Sequence, residues 1–452
     1  MVIRLLHFKP RRKSAMNKLF FAGYIFFVIC FFVPSTAYAY LDPGTGNAIV
    51  YVILSLAGAV FYFIKGLFYK VVKGENIKDN QYGTEHDAIV IFGEAKQYWK
   101  VFKPVVEKLI EKKQCFSYYT MDVEDPCLLI DSPYMKNRYI GNGNSAYVKI
   151  GNLKANLVLS TTPNIGTEGY PIPRSSGIRK LVHVFHAFTD MAYYHKGSLD
   201  HYDSVMLMGE FEIPLIRQLE KLRNLPEKEL YPAGLPYMDD LIKKNPNFGK
   251  PQVKTEKDRI TVLLAPSWGE KGYLKIYGTD FIEKLAQKNF NLILRPHPQS
   301  VRVEQDMLHE VEEKLKKYGN VTWDLDQDGT PSFQAADILV SDTSMIRLDF
   351  SLVYHRPFIT IPIAKESLSD FEIADLGYSW TDEAVKSIGY TLQDGEIEHL
   401  DKIIMKVLRE KTDEVITKFQ NENVYNIGTS GEVIADYLIE NNKAMQTEKE
   451  ED

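Results

Sequence analysis

A histidine between two prolines follows a short apolar run in the second half of this sequence. Residues 292–294 form a run short enough for a buried strand, and Arg295 ends it. Pro296 and Pro298 enclose His297, and each proline disfavours the α region for the residue before it. The imidazole is therefore held on a stiff turn past a strand end, where ligands bind in open α/β sheets. A cation and a titratable ring at that place predict a phosphate or pyrophosphate site, with His297 catalytic and Arg295 binding phosphate.

Two further polar turns follow predicted strands in the same half of the chain. The first comes after 260–264 and contains Pro266, Ser267 and Trp268; the second comes after 336–340 and contains Ser341, Asp342, Thr343 and Ser344. Hydroxyl groups that open a helix form an anion site together with the backbone N–H groups and the helix dipole. Simple helix capping, with Asp342 or Thr343 as the N-cap residue, explains the second turn as well. Beside His297 we favour the anion site, so three strand ends are predicted to line one donor crevice.

A second histidine, His186, ends a predicted strand in the first half of the sequence. An imidazole there can take a proton from an attacking hydroxyl because its ordinary pKa lies near working pH. The alternative is a histidine packed against Tyr193 or Tyr194. Asp190 either orients the imidazole or caps the helix that follows. Other histidines close in sequence are His183, His195 and His201. We favour His186 as the base because it is terminal to its strand.

Several classes of protein are excluded by missing motifs. There is neither a GxxxxGKS/T loop nor a GxGxxG after the first strand, which argues against P-loop NTPases and Rossmann dehydrogenases. Three cysteines without a CxxC pair predict neither zinc nor disulfides, and a net charge of −6 argues against nucleic-acid binding. Asp324 and Asp326 fit an Asp-x-Asp pattern, but Asp328 makes the segment typical of a solvated acidic loop. We expect no cofactor and no obligatory metal.

The elements that must position these residues alternate between strand and helix patterns. Runs that read as strands occupy 88–92, 115–121, 156–160, 180–185, 204–208, 260–264, 291–294, 321–323, 336–340 and 358–362. This rhythm predicts parallel α/β sheets. A chain of 452 residues exceeds what one core usually serves. The polar segment 245–257 is the expected linker between an N-terminal acceptor domain at 83–245 and a C-terminal nucleotide-donor domain at 258–442.

The first eighty residues carry two apolar runs, at 19–33 and 48–64. Residues 1–39 are predicted to form a signal peptide or a first membrane helix, and 47–69 a transmembrane helix. Lysines gather after the second run and none lies between the runs, so the remaining chain is expected on the cytoplasmic face of the cell membrane. A single span after cleavage and a two-helix hairpin both fit, and so does a second run that is merely a buried helix.

At these residues the chain resembles the CDP-glycerol:poly(glycerophosphate) glycerophosphotransferases of teichoic acid synthesis. The family's Arg-x-His-Pro turn resembles 295–298, and its Ala-Pro-Ser/Thr-Trp turn resembles 265–268. Its phosphate-binding Ser/Thr-Asp-Tyr-Ser-Ser turn, with a later Asp and Arg-Pro, is similar to 341–345, Asp349 and Arg356-Pro357; Thr343 and Met345 replace a tyrosine and a serine. The family's His-Gly turn, whose histidine is taken as the base, is similar to His186-Ala187, with alanine in place of glycine.

The resemblance implies a GT-B fold, in which two Rossmann-like domains face a cleft, preceded here by one or two membrane helices. It implies transfer of glycerol phosphate, or a related alditol phosphate, from a CDP-activated donor to a lipid-linked or cell-envelope glycan acceptor. His186 would take the acceptor proton, while His297, Arg295 and 341–344 would hold the pyrophosphate. Two alternatives stay open: a glycosyltransferase or epimerase using a nucleotide sugar on the same fold, and a non-catalytic protein that binds nucleotide-activated precursors.

Overall fold

The computed structural model describes residues 86–248, 259–326, 328–363 and 368–451. The predicted signal or membrane segments, 1–39 and 47–69, lie outside these residues. None of the helices in the described ranges combines the length and the apolar character needed to cross a bilayer.

The first half of the described chain contains a parallel sheet of seven strands. The strands are β1 Asp87–Gly93, β2 Phe116–Thr120, β3 Met135–Tyr139, β4 Ala155–Ser160, β5 Ile178–Val184, β6 Ser204–Leu207 and β7 Glu229–Pro232. Their spatial order is β3-β2-β1-β4-β5-β6-β7. The helices are α1 Trp99–Glu111, α2 Asn144–Gly151, α3 Glu212–Arg223 and α4 Pro236–Lys244. The central strands β1 and β4 are buried nearly throughout, as expected for a parallel sheet covered on both faces.

The second half contains a parallel sheet of six strands. These are β8 Ile260–Ala265, β9 Phe290–Leu294, β10 Val321–Trp323, β11 Ile338–Ser341, β12 Phe358–Thr360 and β13 Gly389–Thr391, in the order β10-β9-β8-β11-β12-β13. The helices are α5 Tyr273–Tyr277, α6 Asp280–Ala286, α7 Pro298–Val303, α8 Gln305–Leu315, α9 Thr330–Ala335, α10 Ile346–Tyr354, α11 Ile373–Leu376, α12 Trp380–Ile388, α13 Leu400–Glu410, α14 Asp413–Asn423 and α15 Ser430–Glu451. Two open α/β sheets thus follow one another, as the sequence predicts.

The two halves share one apolar core cluster. It extends from the first sheet to residues of α10 and α12, including Phe350 and Trp380, while a second cluster fills the far side of the second sheet. Trp380 stacks on Phe211 of the first half with ring centroids 3.6 Å apart. The last helix, α15, returns to the first half and packs against α1, although the sequence analysis placed residues up to 442 in the C-terminal domain. The proposed domain bounds stay a prediction.

Candidate functional site

His297 projects from the turn after β9 with one ring nitrogen already engaged. Its Nδ1 accepts a hydrogen bond from the backbone N–H of Gln299 at 3.1 Å, where the side chain caps α7. The neutral ring therefore carries its proton on Nε2. Partial burial lowers the pKa of His297 from 6.5 and outweighs the opposite effects of Asp342 and Glu304. At neutral pH the exposed ring can donate one hydrogen bond, through Nε2, to an anionic ligand.

Trp268 lies beside His297 on the turn after β8. Its side chain is 50% exposed, and its ring lies 6.5 Å from the imidazole with an interplanar angle of 29°. Pro266, in contrast, is buried. An exposed aromatic face next to a hydrogen-bond donor suits a ligand that has both a base or sugar face and an anionic group.

At the end of β11 and in the turn that follows, the side chains of Ser341 and Asp342 face inward, whereas those of Thr343 and Ser344 face outward. Ser341 donates from its hydroxyl to the carbonyl of Ala265 at 2.6 Å. Asp342 is fully buried and accepts from the backbone N–H of Ser267 at 2.9 Å and from the Ser267 hydroxyl. These contacts fix the β8 turn against the β11 turn. Ser341, Asp342 and Ser267 thus position the crevice, because their polar atoms are already bonded.

Thr343 and Ser344 are the members of that turn open to a ligand. Thr343 is exposed, whereas Ser344 is half-buried and accepts a weak hydrogen bond from the N–H of Ile346 at 3.4 Å. Neither Asp342 nor Thr343 caps α10, so the capping alternative holds only for the hydroxyl of Ser344. The first N–H groups of α10 donate to Ser344 and Met345 at 3.0–3.4 Å, so the exposed Thr343 hydroxyl is the group of this turn that is open to an anion.

The two cations next to the crevice are held by protein groups. Arg295 pairs with Asp324 at 2.7 Å, with side-chain exposures of 12% and 11%. Arg347, which the sequence analysis missed, donates to the carbonyl of Ser344 at 2.8 Å and to the Thr360 hydroxyl at 2.7 Å. Burial lowers the pKa of Arg347 to about 10, so it stays charged at neutral pH. Arg295 thus links the ends of β9 and β10, and Arg347 supports the phosphate-binding turn.

His186 follows β5 at the carboxyl edge of the first sheet. Its ring packs edge-on against Tyr98, 5.3 Å between centroids, and lies 6.4 Å from the ring of Tyr194. Its Nδ1 is buried and has no partner among the described residues. Burial, and then the charge of Lys100, lower the pKa of His186 from 6.5. The ring is neutral at pH 7, as a general base must be.

Asp190 does not orient His186. Its carboxylate accepts from the N–H of Ala192 at 2.9 Å and from the N–H of Thr381 at 2.7 Å. It therefore caps the short 3₁₀ turn that follows and links the first half to the start of α12. His183 is fully buried beside the hydroxyl of Tyr194 at 3.3 Å, and burial lowers its pKa to about 3. Of these two histidines, His186 is the one that reaches the edge of the sheet.

Residues from outside the predicted motifs also reach the edge near His186. Lys100 of α1 lies over the ring of Tyr237, 4.8 Å from its centroid, and the Tyr237 hydroxyl donates to Asp349 of α10. Glu94, directly after β1, accepts from the Thr162 hydroxyl at 3.2 Å, and burial raises its pKa. The position of Glu94 directly after a strand could have identified it as a candidate from the sequence. Lys100 and Tyr237 reach this edge only through tertiary packing, so the sequence carried no signal for them.

The candidate residues do not line either of two cavities found in the described part of the second half. These cavities have volumes of about 530 and 480 Å³. Within the described ranges, no group of three or more His, Cys, Asp or Glu side chains is arranged to hold a metal ion. The candidate site is built from hydroxyl, imidazole and backbone groups, and such a set suits phosphate oxygens.

Comparison with known proteins gives a family for one segment of the chain. Residues 195–367 match the family model described as CDP-Glycerol:Poly(glycerophosphate) glycerophosphotransferase. The matched segment includes the three donor-side turns and begins after His186. No curated protein matches this chain.

Two solved structures are similar to the chain in fold. The wall teichoic acid polymerase TagF is 16% identical, covering 79% of this chain and 90% of that one, with a TM-score of 0.50. A protein from Listeria monocytogenes that bears the name of a UDP-N-acetylglucosamine 2-epimerase is 10% identical, covering 77% and 94%, with a TM-score of 0.50. At these identities the similarity establishes the α/β fold alone. The family model confirms, over residues 195–367, the resemblance drawn from the motifs: this segment of the chain is similar to the CDP-glycerol glycerophosphotransferases.

Proposed function

We propose that this protein transfers glycerol phosphate, or a related alditol phosphate, from a CDP-activated donor to a lipid-linked or cell-envelope glycan acceptor. The observation that carries the proposal is the geometry of His297. Its ring is fixed by the N–H of Gln299, presents Nε2–H outward and lies beside the exposed face of Trp268. The family model over residues 195–367 supports CDP-glycerol as the donor.

The proposed roles follow from which atoms are unengaged. His297 donates to the pyrophosphate, and the hydroxyl groups of Thr343 and Ser344 bind its oxygens. Trp268 provides a face for the nucleotide. Ser341, Asp342, Ser267 and Pro266 hold the turns, and Arg295 acts through its pair with Asp324. No residue in this set needs a metal ion to bind phosphate, so we propose transfer without an obligatory metal.

In the proposed reaction the acceptor hydroxyl attacks the β-phosphorus of the donor. A bond forms between the acceptor oxygen and this phosphorus, while the bond from phosphorus to the bridging oxygen breaks. CMP leaves with the bridging oxygen, and the acceptor proton passes to His186, whose lowered pKa keeps it neutral beforehand. The hydrogen bonds at the pyrophosphate stabilise the charge that develops on the leaving group.

We also propose that the apolar runs at 19–33 and 48–64 tether the enzyme to the cytoplasmic face of the cell membrane. The lysines after the second run support this orientation. Confinement to the membrane raises the effective concentration of a lipid-linked acceptor.

Two histidine variants and a control separate donor binding from chemistry. We expect His297→Ala to weaken CDP-glycerol binding about tenfold or more, because a charge-assisted hydrogen bond is lost. His186→Ala should leave donor binding intact and reduce CMP release by about 10²–10⁴-fold. His309→Ala, an exposed position on α8, is the matched control. Calorimetry measures binding, and CMP release measures turnover.

The same experiment distinguishes the alternatives. Full turnover by His186→Ala would show that the base assignment is wrong. Turnover of UDP-sugars but not of CDP-glycerol would favour the glycosyltransferase or epimerase. Binding of CDP-glycerol without turnover of any donor by the unmodified protein would favour a precursor-binding protein.

A further inference from the structure

Lys100 is an exposed cation in the first turn of α1, and it forms no ion pair with the described part of the chain. Its ammonium lies 4.8 Å from the ring centroid of Tyr237. In the described ranges no carboxylate lies within ion-pair distance of it, whereas Lys103, one turn later, pairs with Asp240 at 2.5 Å. A cation in the first turn also faces the positive end of the helix dipole. Lys100 is therefore poorly explained as a stabiliser of α1.

The surroundings of Lys100 place it where the two halves of the chain meet. Tyr98, two residues earlier, packs edge-on against His186 at 5.3 Å. On the other side, the Tyr237 hydroxyl donates to Asp349 of α10, the helix that begins at the proposed phosphate-binding turn. Burial, and then the charge of Lys100, lower the pKa of His186. Burial raises the pKa of Asp349, and the charge of Lys100 is one of the effects that oppose this rise. The ammonium thus lies between the base and the donor half.

The proposed reaction needs positive charge at this junction. The transferring phosphate carries negative oxygens that become more crowded as the acceptor oxygen attacks. In the second half, Arg295 is paired with Asp324, and Arg347 donates to Ser344 and Thr360. Both guanidinium groups are engaged with protein atoms and largely buried. A flexible ammonium from the opposite half can reach a phosphate without giving up an existing ion pair.

We propose that Lys100 binds the transferring phosphate from the first half of the chain and neutralises its charge during attack. This role rests on the proposed phosphotransfer function and adds a residue outside the matched family segment. Lys100 has a second effect through its charge: it opposes protonation of His186, so the base stays neutral to lower pH.

The test compares three variants of the full-length, detergent-solubilised protein with CDP-glycerol and a bacterial lipid extract. Lys100→Met removes the charge, Lys100→Arg retains it, and Lys406→Met is the matched control. Lys406 lies 4.9 Å from the ring of Tyr390 on the second half, so its substitution removes an equivalent cation–π contact far from His186. CMP release gives kcat and KM at several pH values, and thermal unfolding reports folding.

For Lys100→Met we expect kcat to fall about 10²-fold, as when one preorganised electrostatic group is removed, with partial recovery in Lys100→Arg. The acid limb of kcat/KM should shift to higher pH, because loss of a nearby positive charge raises the pKa of His186. Lys406→Met should leave both unchanged, and all three should unfold near the wild-type temperature.

Each contrary result has a distinct meaning. Wild-type rates and an unshifted acid limb in Lys100→Met would overturn the role of Lys100 while leaving phosphotransfer intact. If Lys100→Met lost the same fraction of activity at every pH and unfolded at a lower temperature, the role of Lys100 would be to stabilise the fold, and the proposed phosphate contact would be wrong. Absence of CMP release by the wild type would overturn the proposed function itself, and this role with it.

Discussion

Among the residues that the structure describes, His186 has no carboxylate partner, so burial and a neighbouring cation set its protonation. Its Nδ1 is buried without a partner in the described part of the chain, and burial and Lys100 both lower its pKa below 6.5. As a base it works only when neutral, and it is neutral above its pKa. The rate should therefore be insensitive to pH above 6.5 and fall only below it.

The pH–rate profile of CMP release checks this residue-scale prediction. A single acid limb below pH 6.5 that disappears, together with most of the rate, in His186→Ala is expected. A limb at or above pH 6.5 would contradict the account, because it would require a titrating group whose pKa is not lowered.

At the same scale, the sequence predicted where polar residues gather but not which way they face. His297 was identified from its prolines, which constrain the local backbone whatever surrounds it. Ser341 and Asp342 were predicted as phosphate ligands, yet they bond to Ala265 and Ser267 of the adjacent turn. Lys100 was missed because α1 reaches His186 only through tertiary packing. Side-chain direction depends on neighbours distant in sequence.

At the scale of elements, the pair Arg295–Asp324 ties the end of β9 to the end of β10. Burial raises the pKa of Asp324, but hydrogen bonds from Ser332 and Arg295 outweigh it, so the net pKa lies below 3.8. The pair therefore stabilises the fold above pH 3.8, and this stabilisation is lost as pH falls through the lowered folded-state pKa.

We expect Asp324→Asn to lower the free energy of unfolding by about 2 kcal/mol at pH 7, since charged hydrogen bonds to Arg295 and Ser332 are weakened. The difference in free energy of unfolding between Asp324→Asn and the wild type should shrink in strong acid. Asp326→Asn, an exposed position on the same loop, is the control. Urea unfolding at pH 7 and near pH 3 measures the free energy of unfolding of both variants. Equal stability of the two variants at pH 7 would be evidence against a stabilising role of the Arg295–Asp324 pair.

The order and type of most elements were predictable because parallel strands are short, apolar and buried on both faces. All ten predicted strands are confirmed within a few residues. The three missed strands, β3, β7 and β13, lie at sheet edges. Their sequences are MKNRY, ELYP and GYT, which are short and largely polar. These three edge strands have one neighbour each and lack the apolar run by which most of the others were identified. The fourth edge strand, β10, was predicted from its residues Val321-Thr-Trp323.

At the scale of the whole molecule, Glu372 joins the two halves. Its carboxylate is fully buried, and it accepts from Arg223 and, at 2.9 Å, from the N–H of Gly197. Arg223 also pairs with Asp200 and Asp375, at 3.0 and 3.1 Å, so removal of Glu372 costs its charged hydrogen bonds to Arg223 and leaves the N–H of Gly197 without this acceptor. This contact holds α11 and the start of α12 against the first half, close to the turn that carries His186.

Glu372→Ala should therefore lower the free energy of unfolding by about 3 kcal/mol. Glu398→Ala, which removes an exposed pair with Lys284, should change it by less than about 1 kcal/mol. Urea unfolding followed by tryptophan fluorescence measures both. Similar effects for the two variants would mean that the buried pair does not hold the halves together.

Phosphotransfer is a reaction of the whole protein, and release of CMP from CDP-glycerol measures it without a product standard. The detergent-solubilised full chain is assayed with and without a bacterial lipid extract, and with EDTA in a parallel sample. We expect CMP release that depends on the lipid extract and persists in EDTA. No CMP under any of these conditions, with UDP-sugars turned over or bound instead, would contradict it.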